Sequence, residues 1–243
     1  MTKLSWPVSQ KYKVISCFWE DKKTAEYYKK WGWLHTGVDL AVVAGSDLFA
    51  TYNMTCYQIL PYNEQTNPWG NAAYFSFNGL EDSGCVYAHI STFGTLKVGD
   101  TFEQGALLPC KSGGNTKESG YPIASSGSHL HFGCWMHGYK NADMGNYTDP
   151  LGFFFEGETI EDSTGRAYFV KDNFKHWSPD LVTFFSYGLV PEDIQKMVDP
   201  KLGTQPYWTE TPSRLKDGIQ MEFEGSVHQR LLESMKKNKL INW

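Results

Sequence analysis

Between Val14 and Phe155 the chain is written as short apolar runs, YKVISCFW, DLFATY, CYQIL, AAYFSF, CVYAHI, ALLPC and HLHFGCW, and these constrain its fold more than any other feature. They are rich in β-branched and aromatic residues, which suit a pleated, half-buried surface. The stretches between them, AVVAGSD, NEQTNPWGN, LKVGD and CKSGGNTKESG, are dense in the Gly, Asn, Asp and Pro that turns require. Short strands at this spacing predict an all-β core, an antiparallel sheet or open sandwich, rather than alternating α and β layers. One helix is predicted to interrupt them, EDKKTAEYYKKWG, with Gly32 as its cap.

After TDPLGFFFEGETIEDSTGR the texture changes. The division expected is a first domain over 1–155, a linker or boundary over 156–166, and a smaller mixed α/β C-terminal region over 167–243. That region is predicted to hold a hairpin and a short helix, then a helix in SVHQRLLESMKKNKLINW with Val227, Leu231, Leu232 and Met235 on one face. Its aromatics Trp177, Phe184, Phe185 and Tyr187 suit either sugar stacking or core packing. DNFKHWSPDLVTFFSYGL loosely resembles a short segment found in phage-associated and surface proteins.

A net charge of −5 argues against a nucleic-acid or membrane footprint, because phosphate surfaces demand a basic face. No apolar run reaches membrane-spanning length. Five cysteines, Cys17, Cys56, Cys85, Cys110 and Cys134, make an odd number without a CxxC pair. Reduced, buried thiols are expected, not a disulfide framework or a zinc ribbon.

The histidines carry the chemistry. SGSHLHFG places His129 and His131 two apart, so that in a strand both project from one face. HTGVDLA sets His35 and Asp39 four apart around Gly37, which would let the backbone bend tightly enough to turn both side chains to one point, and YAHIS puts His89 at the end of an apolar run. Four of the seven histidines thus fall in three short motifs, each beside a strand-like segment. Imidazole and carboxylate are both good zinc ligands, and a catalytic zinc keeps three of them and one open position. Five candidates supply three ligands and two imidazoles left for acid–base work. His137, His176 and His228 lack such company and are expected at the surface or in the core. Other enzymes with strand histidines fit less well. Carbonic anhydrases need no HxxxD carboxylate, and cupins need a Glu soon after the second histidine, where Gly133, Cys134 and Trp135 stand.

Together the motifs resemble the lysostaphin-like zinc metallopeptidases, peptidoglycan endopeptidases of the duplicated-hybrid-motif fold. The matching segments are His35-Thr-Gly-Val-Asp39 for HxGxD, Tyr87-Ala-His-Ile-Ser91 for a YxHLS-like segment, and Ser125-Ser-Gly-Ser-His-Leu-His-Phe132 for an STGPHLHFE-like segment. LKVGDTFEQGALL is similar to that family's VKVGDxVxxGQxIG hairpin, and YTDPLGFF to its VDPxxYL. The landmarks run in the family's order from about Val14 to Phe155. The resemblance implies an antiparallel sheet with a substrate groove, Zn²⁺ on His35, Asp39 and His131, and His89 and His129 as catalytic imidazoles. It implies hydrolysis of peptide cross-links in bacterial peptidoglycan. The alternative is an inactive wall-binding or hydrolase-activating module of the same fold. Met54 stands where a glycine is usual, Gly133 where an acid is common, and KSGGNTKESGYPIASSGS is long. These departures touch the groove rather than the ligands.

Zinc on two neutral imidazoles and a carboxylate acidifies a water toward neutrality. One free histidine would then shuttle its proton and the other support the oxyanion. MTKLSWPVSQKYKV shows no apolar leader, so a phage lysin or virion-associated protein acting on the wall is expected, or a secreted bacterial protein with its leader removed.

Overall fold

A computed structural model describes residues 2–9, 14–16, 29, 34–63, 65–67, 70–113, 127–137, 147–161, 167–171, 174–177, 194–196 and 216–217; side chains are described only outside 14–16 and up to 158. The predicted helix over 20–32 lies outside them save Lys29, and the predicted C-terminal helix lies wholly outside.

Two compact units emerge. One comprises Leu4–Pro150 with Pro200–Trp208, the other Met1–Lys3, Leu151–Asp199 and Thr209–Trp243. Among the described residues the first contains ten strands: β1 (Val14–Ser16), β2 (Val38–Ala41), β3 (Asp47–Phe49), β4 (Met54–Leu60), β5 (Asn71–Phe77), β6 (Gly84–Thr92), β7 (Thr101–Phe102), β8 (Leu107–Ser112), β9 (His129–Trp135) and β10 (Tyr147–Thr148). Their main order is β1-β2-β9-β6-β5-β4-β7, and every pairing is antiparallel. Off that path β10 joins β9, while β8 bridges β3 and β6. The all-β, antiparallel expectation is met.

Alternation divides the residues between the two faces of this sheet. Leu40, Leu130, Phe132, Cys134, Tyr87, Cys85, Phe75 and Met54 are fully buried. Phe75, Tyr87 and Phe132 form an edge-to-face row across β5, β6 and β9, with centroids 5.4 and 5.3 Å apart. The Tyr87 hydroxyl donates to the Phe49 carbonyl at 2.7 Å, so β3 covers this face and closes the core as an open sandwich. The opposite face carries His129, His131 and Trp135, all half-buried.

Cys56, Cys85, Cys110 and Cys134 are free and buried, as expected of reduced thiols. Burial pushes Cys110 up to about 12 and raises the other three as well.

The second unit contains a short helix, α1 (Leu151–Phe155), whose five residues are all buried. Its strands are β11 (Thr159–Glu161), β12 (Ala167–Lys171), β13 (Phe174–Trp177), β14 (Ile194–Lys196) and β15 (Lys216–Asp217). They form a sheet in the order β14-β11-β12-β13-β15, with β11–β14 and β13–β15 parallel. The predicted hairpin is β12–β13. The stretch 156–166, expected as a linker or boundary, contains β11, which pairs on both its sides. Among the described residues no helix is long and apolar enough to cross a membrane.

Candidate metal centre

Two neighbouring strands bring the first motifs together. β2 and β9 pair so that Asp39 lies opposite His131 and Ala41 opposite His129. On the other side of β9, Ala88 of β6 lies opposite His131. Cross-strand neighbours stand about 4.5–5.5 Å apart at Cβ, so the carboxylate and imidazole meet directly. The alanines at 41 and 88 leave the histidines room. His35 precedes β2 and folds back onto Asp39.

Gly37 acts differently from the sequence expectation. It is absent from the positive-φ residues, so no special turn bends the chain there. A Cβ at 37 would instead lie 2.1 Å from the Phe132 carbonyl oxygen. Only a residue without a side chain lets the approach to β2 run this close to β9.

His35 Nε2, Asp39 Oδ1 and His131 Nδ1 form a triangle with each edge 3.0 Å. His35 and Asp39 are 4% and 5% exposed, whereas the side chains of His129 and His131 are 11% and 14% exposed. The cluster is therefore closed beneath and reachable from the β9 side. Three hydrogen bonds cannot all exist in it. Each ring nitrogen carries at most one hydrogen, and two protonated nitrogens would face each other. A cation satisfies all three atoms at once, and one about 2 Å from each fits above such a triangle. Among the described residues these three are the group whose ligand atoms converge closely enough to hold a metal.

The electrostatics agree with that use. Burial pushes the Asp39 carboxyl up, but the surrounding imidazoles of His35, His129 and His131 outweigh it and hold it well below the usual carboxylate range. Burial pushes His131 down; its bond to Asp39 opposes this, and His35 and His129 push it down further. A charged carboxylate and a neutral imidazole are what a dication requires.

His129 and His89 stand beside the triangle. His129 Nε2 lies 3.6 Å from Asp39 Oδ1, while its Nδ1 contacts the Gly127 carbonyl oxygen at 2.9 Å. His89 meets the His129 ring edge-on at 4.6 Å and the His131 ring at 6.0 Å. All five sequence candidates are thus in one place. His137 is at the surface, 3.9 Å from Asp82 and 66% exposed. The side chains of His176 and His228 are not among those described.

Thr36 was missed by the sequence reading. Its Oγ1 lies 3.4 Å from His131 Nε2, the nitrogen facing away from the triangle. As the variable position of HxGxD, it gave no sign of this. The departure at Gly133 has a structural reason. A Cβ there would meet Val86 at 3.0 Å and both Thr36 and Tyr147 at 3.1 Å, so any larger residue must push Tyr147 aside.

No family model and no curated protein matches the chain. Solved structures do. The catalytic domain of the antimicrobial peptidase lysostaphin from Staphylococcus simulans shares 24% identity, over 50% of this chain and 79% of that one, with a TM-score of 0.38. A zinc-containing peptidase from Vibrio cholerae shares 20%, over 54% and 36%, with a TM-score of 0.41. The SpoIIQ–SpoIIIAH pore-forming complex gives 22%, over 63% and 91%, with a TM-score of 0.44.

Proposed function

We propose that the protein is a zinc-dependent endopeptidase that hydrolyses peptide cross-links of bacterial peptidoglycan. The observation that carries the chemistry is the triangle of His35 Nε2, Asp39 Oδ1 and His131 Nδ1, with a further imidazole nitrogen 3.6 Å from its carboxylate corner. The substrate class rests on the motif resemblance, in which five landmarks occur in the family's order.

His35, Asp39 and His131 would hold the ion, and Zn²⁺ bound there supplies a Lewis acid and an acidified water. The remaining steps belong to the protein. The Gly127 carbonyl can only accept, so the hydrogen between it and His129 belongs to Nδ1. In the neutral ring Nε2 then carries the lone pair, on the side facing Asp39, and this nitrogen is the proton acceptor. The same nitrogen, once protonated, delivers a proton to the departing amine. In this reading His89, edge-on to His129, donates to the oxyanion that develops on the scissile carbonyl. With the ion bound, Thr36 would accept from His131 Nε2–H and so keep Nδ1 for the metal.

In this reading residues 1–155 carry the reaction, and 167–243 form an accessory lobe that binds wall or packs. The test is hydrolysis of purified sacculi by the zinc-loaded full chain, with and without chelator, the released fragments being read by mass spectrometry. Chelator-sensitive release of cross-link peptides is expected. Tight binding to sacculi without release, at full zinc occupancy, would replace the enzyme with a wall-binding module.

A further inference from the structure

His89 reaches the metal face against the alternation of its own strand. Along β6, Tyr87 faces the core, where its ring meets Phe75 and Phe132, and Ala88 opposes His131 on the metal face. Regular alternation would return His89 to the core beside Tyr87. Its ring instead lies against His129 and His131.

The cause is a bulge. Consecutive residues Asn71 and Ala72 of β5 pair with Ile90 and Ala88, so His89 is the extra residue on β6. Its φ is +60°, a left-handed conformation in a side chain that rarely adopts it. At the same point β6 changes its other neighbour, from β9 through Ala88 to β8 from Ile90.

Two residues hold the bulge. The buried Asn71 side chain donates from Nδ2 to the Ile90 carbonyl at 3.0 Å and accepts the Tyr62 N–H on Oδ1 at 2.8 Å. Gly113, bridged to His129, faces the His89 backbone so closely that a Cβ would stand 1.7 Å from the His89 carbonyl oxygen. We propose that Asn71 and Gly113 are positioning residues, which lock the bulge that turns the His89 imidazole from the core face onto the metal face. This rests on the reading of His89 as a working imidazole of the zinc site.

The test has an arm that needs no activity. At an ordinary strand position alanine is more stable than glycine, whereas at a left-handed position the order reverses. His89→Gly is therefore expected to melt above His89→Ala, both lacking the imidazole equally. Melting in the opposite order would overturn the bulge and the proposal with it. In the second arm, Asn71→Asp keeps the acceptor for Tyr62 but loses the donor to Ile90. It is expected to retain full zinc and to lose turnover of a cross-link peptide about 10–100-fold, with KM within about twofold. Turnover equal to the unaltered chain would show that Asn71 does not position His89. Gly113→Ala is expected to misfold or to displace the His89 carbonyl, so Asn71→Asp carries this arm. A zinc-loaded unaltered chain that hydrolyses nothing would sink the functional reading, while the glycine–alanine order at 89 would still decide the bulge.

Discussion

The charge states of three converging side chains decide whether a dication can sit among them at neutral pH. Asp39 is held ionised and His131 is held neutral, so neither needs to lose a proton at the moment of binding. His131→Ala, Asp39→Ala and His35→Ala are each expected to abolish stoichiometric zinc. His129→Ala and His89→Ala should keep it and lose turnover about 10²–10⁴-fold, measured as metal content and hydrolysis on the same samples. Equal zinc loss in all five would dissolve the division of roles. Thr36→Val removes the acceptor for His131 Nε2–H and should weaken zinc about 10–100-fold in chelator competition. The depressed value of His131 also sets a pH dependence with a definite sign. The folded chain resists protonating this ring more than the unfolded chain does. Its contribution is present above the ordinary histidine value, about 6.5, and is lost as pH falls through the lower folded value. The chelated protein should melt progressively lower from about pH 7 to about pH 5, by scanning calorimetry.

At the scale of elements the site is a matter of register. Asp39 and His131 meet because β2 and β9 pair at those residues, and a slip of one position in β2 would turn Asp39 to the other face. Ala88 is the neighbour of His131 on the far side, where a small side chain leaves the imidazole free to turn toward Asp39. Ala88→Leu should crowd the ring and weaken zinc by about tenfold or more in the same competition. This order of things also explains what the sequence could reveal. Alternation in HLHFGCW is local, so the shared face of His129 and His131 was legible, as was the four-residue spacing of His35 and Asp39. The bulge at His89 was not. It depends on which residue of β5 pairs with which of β6, and on a backbone approach by Gly113, the residue after β8. Gly37 was read as a bend because its partner, the Phe132 carbonyl, is far away in the chain. The strand in 159–161 was hidden because its partners, β12 and β14, lie downstream.

Across the molecule, the sheet that presents the metal face packs on a core that holds thiols and a phenol whose ionisation burial opposes. Cys110 is pushed up to about 12 by burial, and Cys85 and Cys134 are raised by the same cause. Tyr87, fully buried in the aromatic row, is raised well above its usual value, again chiefly by burial. Each of these groups has a folded value above its unfolded one. Their contribution to stability is therefore complete below the unfolded values, near 9 for the thiols, and declines as pH rises toward the folded ones. Each unit of elevation corresponds to about 1.4 kcal/mol between the two protonation states, and these groups draw on the same small net stability. The guanidinium midpoint, measured under reducing conditions on the zinc-free protein, should stay level from about pH 7.5 to about pH 8.5 and fall steeply by about pH 11. Iodoacetamide should label these thiols at about pH 8 only after unfolding, since the reactive species is the thiolate. A midpoint unchanged through about pH 11 would mean that the thiols ionise inside the fold, and therefore that water reaches the β5–β6–β9 core.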